Sequence, residues 1–129
     1  MANTHSILII DDDSFLLDMY ALKFSQSGFE VDSALGSELA WEKIQKGVAP
    51  DVMLVDIVMP GMTGFELLEK ITEKKLMPNT LKIVLSNRGQ QNDIDQAKKY
   101  DVAGYIVKAN NTPGEVISKV NDILKEHSK

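Results

Sequence analysis

Residues 7–13 read ILIIDDD: four apolar side chains are followed directly by three aspartates. A short run that is apolar on both faces is typical of a central strand in a parallel sheet that helices cover on both sides. Similar runs occur at Val52–Val55, Leu81–Leu85 and Tyr105–Val107, and a weaker one occurs at Phe29–Leu35. The sequence therefore predicts five strands.

Five segments with helical spacing of apolar residues alternate with these runs. The first carries Phe15, Met19 and Leu22 as its apolar stripe, whereas the fourth, residues 89–100, is mostly polar. Two Thr-x-x-Glu patterns predict capping boxes at the starts of the third and fifth helices. Five strand–helix units predict an α/β fold with right-handed crossovers. The predicted helices start near Ser14, Ser37, Thr63, Gly89 and Thr112.

Length and composition limit the classes of function. The chain has 129 residues, a formal net charge of −5 and no cysteine. This length suits one domain, and the absence of cysteine excludes disulfides and thiolate chemistry. The negative net charge disfavours direct binding to nucleic acid or to anionic membranes. No apolar run approaches the ~20 residues of a membrane helix, so we expect a soluble, cytoplasmic domain.

Polar side chains follow four of the five predicted strands at the point where each strand ends. The first strand is followed by the aspartates of residues 11–13, the third by Asp56, the fourth by Ser86 and the fifth by Lys108. Each residue alone has an ordinary structural role, such as a helix cap for an aspartate. Ligands of open α/β sheets bind beyond these carboxyl ends, so the set as a whole indicates a site.

The acidic residues at these ends favour a hard divalent cation. Clustered carboxylates repel one another, and a bound cation relieves that repulsion. Because the ligands on offer are oxygens, Mg²⁺ fits better than zinc or copper. Charge counting agrees, since Asp11, Asp12 and Asp56 carry three negative charges, which Mg²⁺ and Lys108 together balance.

Four segments resemble the signature of response-regulator receiver domains. They are ILIIDDD at 7–13, DIVMPGMTG at 56–64, Leu85-Ser86, and YIVK at 105–108, in the family's order. The resemblance covers residues 5–126 as a single domain and leaves 1–4 and 127–129 as short tails. It implies a doubly wound, flavodoxin-like (βα)5 fold with a parallel sheet in the order 2-1-3-4-5.

The resemblance also implies the function of a two-component signalling domain. Asp56 is then the phosphoacceptor, which takes a phosphoryl group from a histidine kinase or a phosphotransfer protein. Ser86 hydrogen-bonds one phosphoryl oxygen, and Lys108 pairs with another. Such a domain phosphorylates itself and later loses the phosphoryl group, so we expect a phosphoacceptor rather than an enzyme that turns over a substrate.

A metal site follows from the same resemblance. Asp12 and Asp56 ligate Mg²⁺ directly, together with the backbone carbonyl of Val58, and Asp11 contributes through water. Asp13 is as well explained by a cap of the first helix as by a role in the site.

A conformational switch is the third implication of the resemblance. In the family, the hydroxyl at position 86 moves toward the phosphoryl group, and the aromatic residue at position 105, here Tyr105, turns inward behind it. Output then passes to a downstream protein through the face of the fourth helix, fifth strand and fifth helix. A phosphorylation-linked homodimer is a further expectation.

Four neighbours of the predicted site depart from the usual pattern. Ala109 replaces a proline whose preceding peptide is commonly cis, and a cis Lys108–Ala109 bond would cost about 2.5–4 kcal/mol, so both isomers stay open. Asn87 is bulkier than usual, and Arg88 follows it. Val58 is apolar where many relatives are polar. We hypothesise that Val58 hinders an attacking water, which would make the aspartyl phosphate long-lived.

Two other functions use similar residues. A haloacid-dehalogenase-type phosphatase also has an aspartate nucleophile, but it needs a D-x-D-x-[TV] motif, and Phe15 stands at the last position of that pattern. A pseudo-receiver, which binds a partner without phosphorylation, typically lacks one of the acids, the hydroxyl or the lysine. The output target and the cognate kinase are not readable from the sequence.

Overall fold

The computed structural model describes residues 5–127 as five alternating strands and helices. Residues 1–4 of the predicted first tail and residues 128–129 of the second lie outside the described residues. The elements are β1 (Ser6–Asp11), α1 (Ser14–Gln26), β2 (Glu30–Leu35), α2 (Ser37–Gln45), β3 (Val52–Val55), α3 (Gly64–Glu73), β4 (Leu81–Ser86), α4 (Gln91–Lys98), β5 (Gly104–Val107) and α5 (Pro113–Glu126).

The five strands form one parallel sheet in the order β2-β1-β3-β4-β5. The predicted doubly wound, flavodoxin-like fold is confirmed. The order reverses at β1, because the chain first adds β2 on one side and then β3 on the other. Loops that leave β1 and β3 therefore diverge, and they open a cleft at the carboxyl edge of the sheet.

Alternate residues of the central strands pack into two separate cores, as the two-residue period of a strand requires. Leu8 and Ile10 face the core that α2, α3 and α4 cover. Ile7 and Ile9 face the core under α1 and α5. Burial on both faces explains why these runs are apolar without a break.

The apolar stripe predicted for α1 was wrong at two of its three positions, since only Met19 packs against the core. Phe15 is 77% exposed and Leu22 is 56% exposed, whereas Leu17, Tyr20 and Phe24 are buried. Both sets have helical spacing, so periodicity alone could not choose between them. The large ring of Phe24 decides the orientation, because it packs edge-on against Phe29 with their ring centroids 5.1 Å apart.

The helix starts differ in how they are capped. Capping boxes are present at Thr63 and Thr112, as predicted. Each threonine hydroxyl accepts a hydrogen bond from the backbone amide of the glutamate three residues later, and the side chain of that glutamate accepts one from the backbone amide of the threonine. Gly36 and Gln90, which precede α2 and α4, make no side-chain cap. The helix α4 is also shorter than predicted and begins at Gln91. Within residues 5–127 no helix has the length and apolar character needed to cross a membrane.

Candidate functional site

A cleft of ≈ 460 Å³ lies at the carboxyl edge of the sheet, where β1, β3 and β4 end. Asp56, Ser86 and Lys108, predicted from the strand ends, all line it, and so does the acidic run of residues 11–13. Tyr105 and Ala109 were also predicted near this site, but they do not line the cleft. The full lining is Asp11, Asp12, Asp13, Leu16, Asp56, Val58, Ser86, Asn87, Arg88 and Lys108.

The floor of the cleft consists of Asp11, Asp56 and Lys108. The Lys108 Nζ donates to Asp11 Oδ2 at 2.7 Å and to Asp56 Oδ2 at 2.9 Å. All three side chains are less than a tenth exposed. Charged groups are rarely buried this deeply unless they are paired, so the lysine and the two carboxylates depend on one another.

Burial and pairing act on these groups in opposite directions. Burial raises the pKa of Asp11 above its usual value, although hydrogen bonds from Lys108 and from the Asp13 amide partly offset it. Burial alone would lower the pKa of Lys108, but its bonds to Asp11 and Asp56 outweigh that effect and raise it. Lys108 therefore remains a cation, while burial still disfavours the charged form of Asp11, which a further cation would stabilise.

The acidic residues have the chemistry and spacing of a divalent-cation site. Carboxylate oxygens of Asp11, Asp12 and Asp56 lie within 4.8 Å of one another. Asp12 is exposed. Asp13 instead caps α1 through a bond from the Leu16 amide at 3.1 Å. Oxygen donors of this kind suit Mg²⁺.

The loop after β3 holds Asp56 from its backbone side. The Val58 amide donates to Asp56 Oδ1 at 3.1 Å, so both carboxylate oxygens have a partner. Gly61 has φ of 75°, which favours glycine. A Cβ atom on Gly64 would collide with the Asp56 carbonyl and would lie 2.7 Å from the Ile57 Cα. The glycines of the MPGMTG stretch therefore let α3 start directly against the backbone of Asp56.

The β4 side of the cleft is built around Arg88. Ser86 is fully buried, and its Oγ accepts from the Arg88 amide at 3.2 Å. The Tyr105 hydroxyl donates to the Arg88 carbonyl. Burial and the nearby carboxylate of Asp93 raise the pKa of Tyr105 to about 12, against a smaller lowering effect of Arg88. Ser86 and Tyr105, predicted as switch residues, thus share one neighbour in the chain.

Sequence reasoning missed an ion pair between Arg88 and Asp93. The Arg88 Nη2 donates to Asp93 Oδ1 at 2.8 Å, and the Asp93 side chain is only 6% exposed. Acids are favourable in the first turn of a helix whether or not they are buried, so the helix pattern alone gave no signal of the burial of Asp93. An arginine five residues earlier was the available clue.

The peptide between Lys108 and Ala109 is trans, since no described peptide bond is cis. Residues 108–110 form a 3-10 turn, and the Asn111 side chain closes it by donating to the Val107 carbonyl at 2.9 Å. This turn delivers Lys108 to the floor of the cleft without the strain of a cis bond. Asn87 is exposed at the rim of the cleft.

Comparison with known proteins gives a consistent result. The family described as "Response regulator receiver domain" matches residues 7–121. The chemotaxis protein CheY of Thermotoga maritima is 34% identical over 120 residues, which cover 92% of this chain and 97% of that protein. The transcriptional regulatory protein ResD of Bacillus subtilis is 30% identical over 129 residues, which cover 98% of this chain and 51% of ResD.

A solved structure supports the same relationship. The CheY-like response regulator receiver domain protein of Methanospirillum hungatei superposes with a TM-score of 0.85 at 28% identity, over 96% of each chain. The chain spans about a third to a half of the length of the curated transcriptional regulators that it matches.

Proposed function

The chain belongs to the response regulator receiver domain family of two-component systems, and on that premise we propose that Asp56 accepts a phosphoryl group in a Mg²⁺-dependent reaction. The donor is a phosphohistidine of a histidine kinase or of a phosphotransfer protein. One observation carries the proposal: the Asp56 carboxylate lies in the cleft 2.9 Å from the Lys108 ammonium and next to two further carboxylates.

The reaction is a transfer from nitrogen to oxygen. An Asp56 carboxylate oxygen attacks the phosphorus, the phosphorus–nitrogen bond breaks, and the donor imidazole leaves with the electron pair. The product is an acyl phosphate. Catalysis of such a loose, in-line transfer consists mainly of positioning and charge stabilisation.

Residues of the cleft would supply both the positioning and the charge stabilisation. Lys108 would pair with a phosphoryl oxygen, and the Ser86 hydroxyl would donate to another. Bound Mg²⁺ would neutralise charge on the phosphoryl oxygens. Asp12, Asp56 and the Val58 carbonyl would hold the ion directly, and Asp11 would do so through water. The raised pKa of Asp11 supports this assignment, since a cation relieves the charge that burial disfavours.

A labelling experiment tests the proposal. The protein is incubated with acetyl phosphate, with and without Mg²⁺, and its intact mass is measured for wild type and Asp56→Asn. We expect the mass of one phosphoryl group to appear only in wild type and only with Mg²⁺. A Mg²⁺-dependent gain that persists in Asp56→Asn would refute the assignment of Asp56.

Receiver domains are regulatory, and we propose the same of this chain. It would be labelled once per molecule and would lose the label by hydrolysis, with no sustained turnover of a phosphate ester. Phosphorylation would move Ser86 and Tyr105 and alter the face formed by α4, β5 and α5, where a downstream protein or a second copy would bind. The domain bounds of 5–126 and a cytoplasmic location also remain predictions.

A further inference from the structure

Arg88 connects three parts of the molecule. Its amide donates to the Ser86 hydroxyl at 3.2 Å, its carbonyl accepts from the Tyr105 hydroxyl, and its guanidinium donates to Asp93 of α4 at 2.8 Å. The backbone of Arg88 is thus tied to both predicted switch residues. Its side chain is tied to a helix at the output face.

The two partners of the ion pair differ sharply in exposure. The Arg88 side chain is 62% exposed, whereas that of Asp93 is 6% exposed. In the described part of the chain, Arg88 makes the one side-chain hydrogen bond that Asp93 receives. The guanidinium keeps most of its hydration when the pair breaks, so the cost of breaking it falls on Asp93, whose buried carboxylate is strongly disfavoured without a partner.

A competing anion would form in the same cleft. Arg88 lines the cleft together with Asp56 and Ser86. An aspartyl phosphate would bring about 1.5 to 2 negative charges to it at neutral pH. Lys108 is the other cation among the lining residues, and it already binds two carboxylates. Guanidinium groups bind phosphoryl oxygens through paired hydrogen bonds, so the new anion would compete with Asp93 for Arg88.

The start of α4 is the part that would respond. Asp93 lies in the first turn of this helix, and Gln90 provides no side-chain cap there. Its carboxylate also interacts favourably with the helix N-terminus. Loss of Arg88 would leave that carboxylate buried and unpaired in a turn that has no side-chain cap.

We propose that Arg88 is a second phosphoryl-binding cation, which Asp93 holds in the unphosphorylated protein, and that its transfer to the phosphoryl group loosens the first turn of α4. The inference rests on the proposed phosphorylation of Asp56. The ion pair between Arg88 and Asp93 would be a second route from the cleft to α4, in addition to the predicted route through Ser86 and Tyr105.

Binding of beryllofluoride, a phosphoryl mimic, with Mg²⁺ tests the inference in the full chain. The affinity is measured by calorimetry, and hydrogen exchange is followed at the α4 amides. In wild type, the mimic should speed exchange in residues 91–94. Arg88→Gln should weaken binding about tenfold, since it removes a charge-assisted contact. Asp93→Asn should strengthen binding, because it frees Arg88.

Two further variants separate this role from a loss of folding. Arg88→Gln combined with Asp93→Asn removes the buried unpaired charge, and it should bind the mimic as weakly as Arg88→Gln alone. Lys43→Gln breaks a surface pair with Asp32, 2.7 Å long and away from the cleft, and should leave the affinity unchanged.

The outcomes distinguish this inference from the proposed function. Equal affinity in wild type and Arg88→Gln would overturn the inference alone. A loss of affinity in Asp93→Asn would overturn the competition between Asp93 and the phosphoryl group. Absence of binding in wild type would overturn the phosphoacceptor function and the inference together.

Discussion

The floor and the β4 side of the cleft hold their charges in different ways. On the floor, Lys108 and its partners Asp11 and Asp56 are all buried, and the lysine bridges the two carboxylates. On the β4 side, the buried Asp93 depends on an arginine whose side chain is mostly in solvent. The floor is a closed network, whereas the β4 side has one partner that is free to move.

Under the proposed function, this difference would separate two tasks. A buried, mutually dependent network keeps its geometry, which suits the positioning of a reacting group. A pair with one exposed partner can exchange that partner for another anion, which suits a response to the reaction. The next four experiments test this separation, from the largest expected effect to the smallest.

Lys108→Met should reduce the rate of labelling by acetyl phosphate about 100-fold, because one buried cation at the reacting group is lost. Labelling is followed by intact mass at several times. Lys82→Met is the control, since Lys82 is half-buried at the other edge of the sheet, where it donates to the carbonyls of Met77 and Thr80. If Arg88→Gln slowed labelling as much as Lys108→Met, the floor and the β4 side would not differ in task.

Gly64→Ala should lower the free energy of unfolding by about 1–3 kcal/mol, because its methyl group would collide with the backbone of Asp56 and Ile57. Urea denaturation measures the change. Gly114→Ala is the matched control: a Cβ there has its nearest neighbour, the Thr112 hydroxyl, at 3.9 Å. That variant should be as stable as wild type or slightly more so. Equal stability of the two variants would show that the backbone of Asp56 can shift to make room for a methyl group at position 64.

Val58→Asn should shorten the lifetime of the aspartyl phosphate severalfold, because an amide at the rim would position an attacking water that the isopropyl group hinders. Val58 is 52% exposed, so the change should leave the fold intact. The lifetime is measured by intact mass after the phosphodonor is removed, and Val58→Leu serves as the apolar control. A half-life unchanged in Val58→Asn would sink the hypothesis.

The titration of Tyr105 reports on the β4 side with the smallest expected effect. Burial, then Asp93, raises the pKa of its phenol from 10.0 to about 12, so folding favours the protonated form. The stability from this shift is present below pH 10.0 and is lost as the pH rises through about 12. Asp93→Asn should bring the pKa back toward 10.0, as read from tyrosinate absorbance with Tyr105→Phe as the blank. An unchanged titration would mean that Asp93 does not act on this hydroxyl.

The strands were predictable because a parallel sheet with both faces covered requires central strands that are apolar at nearly every position. Each apolar run matched its strand to within one residue at either end. The inward face of α1 was not predictable, because Phe15 and Leu22 fit a helical stripe as well as Leu17 and Phe24 do. The orientation depends on a contact distant in sequence from most of the helix, the packing of Phe24 against Phe29.

The candidate site also has a part that could be predicted from the sequence and a part that could not. The acids, Ser86 and Lys108 could be predicted, since each directly follows an apolar run and strand ends meet at one edge of the sheet. The pairing of Arg88 with Asp93 could not, because it depends on how the loop before α4 folds back. The isomer of the peptide after Lys108 could not be predicted either, because alanine at position 109 fits a loop that turns by either path, and the structure has a trans bond followed by a 3-10 turn.

If phosphorylation loosens α4 as proposed, the start of this helix, which lacks a side-chain cap, would give the molecule an adjustable threshold for its response. A serine in place of Gln90 would supply the missing cap and stabilise that helix start by about 1 kcal/mol. Such a change alters a two-state population about fivefold. A single position away from the cleft could therefore set what fraction of molecules responds to a given level of the proposed phosphorylation, with the residues around Asp56 unchanged.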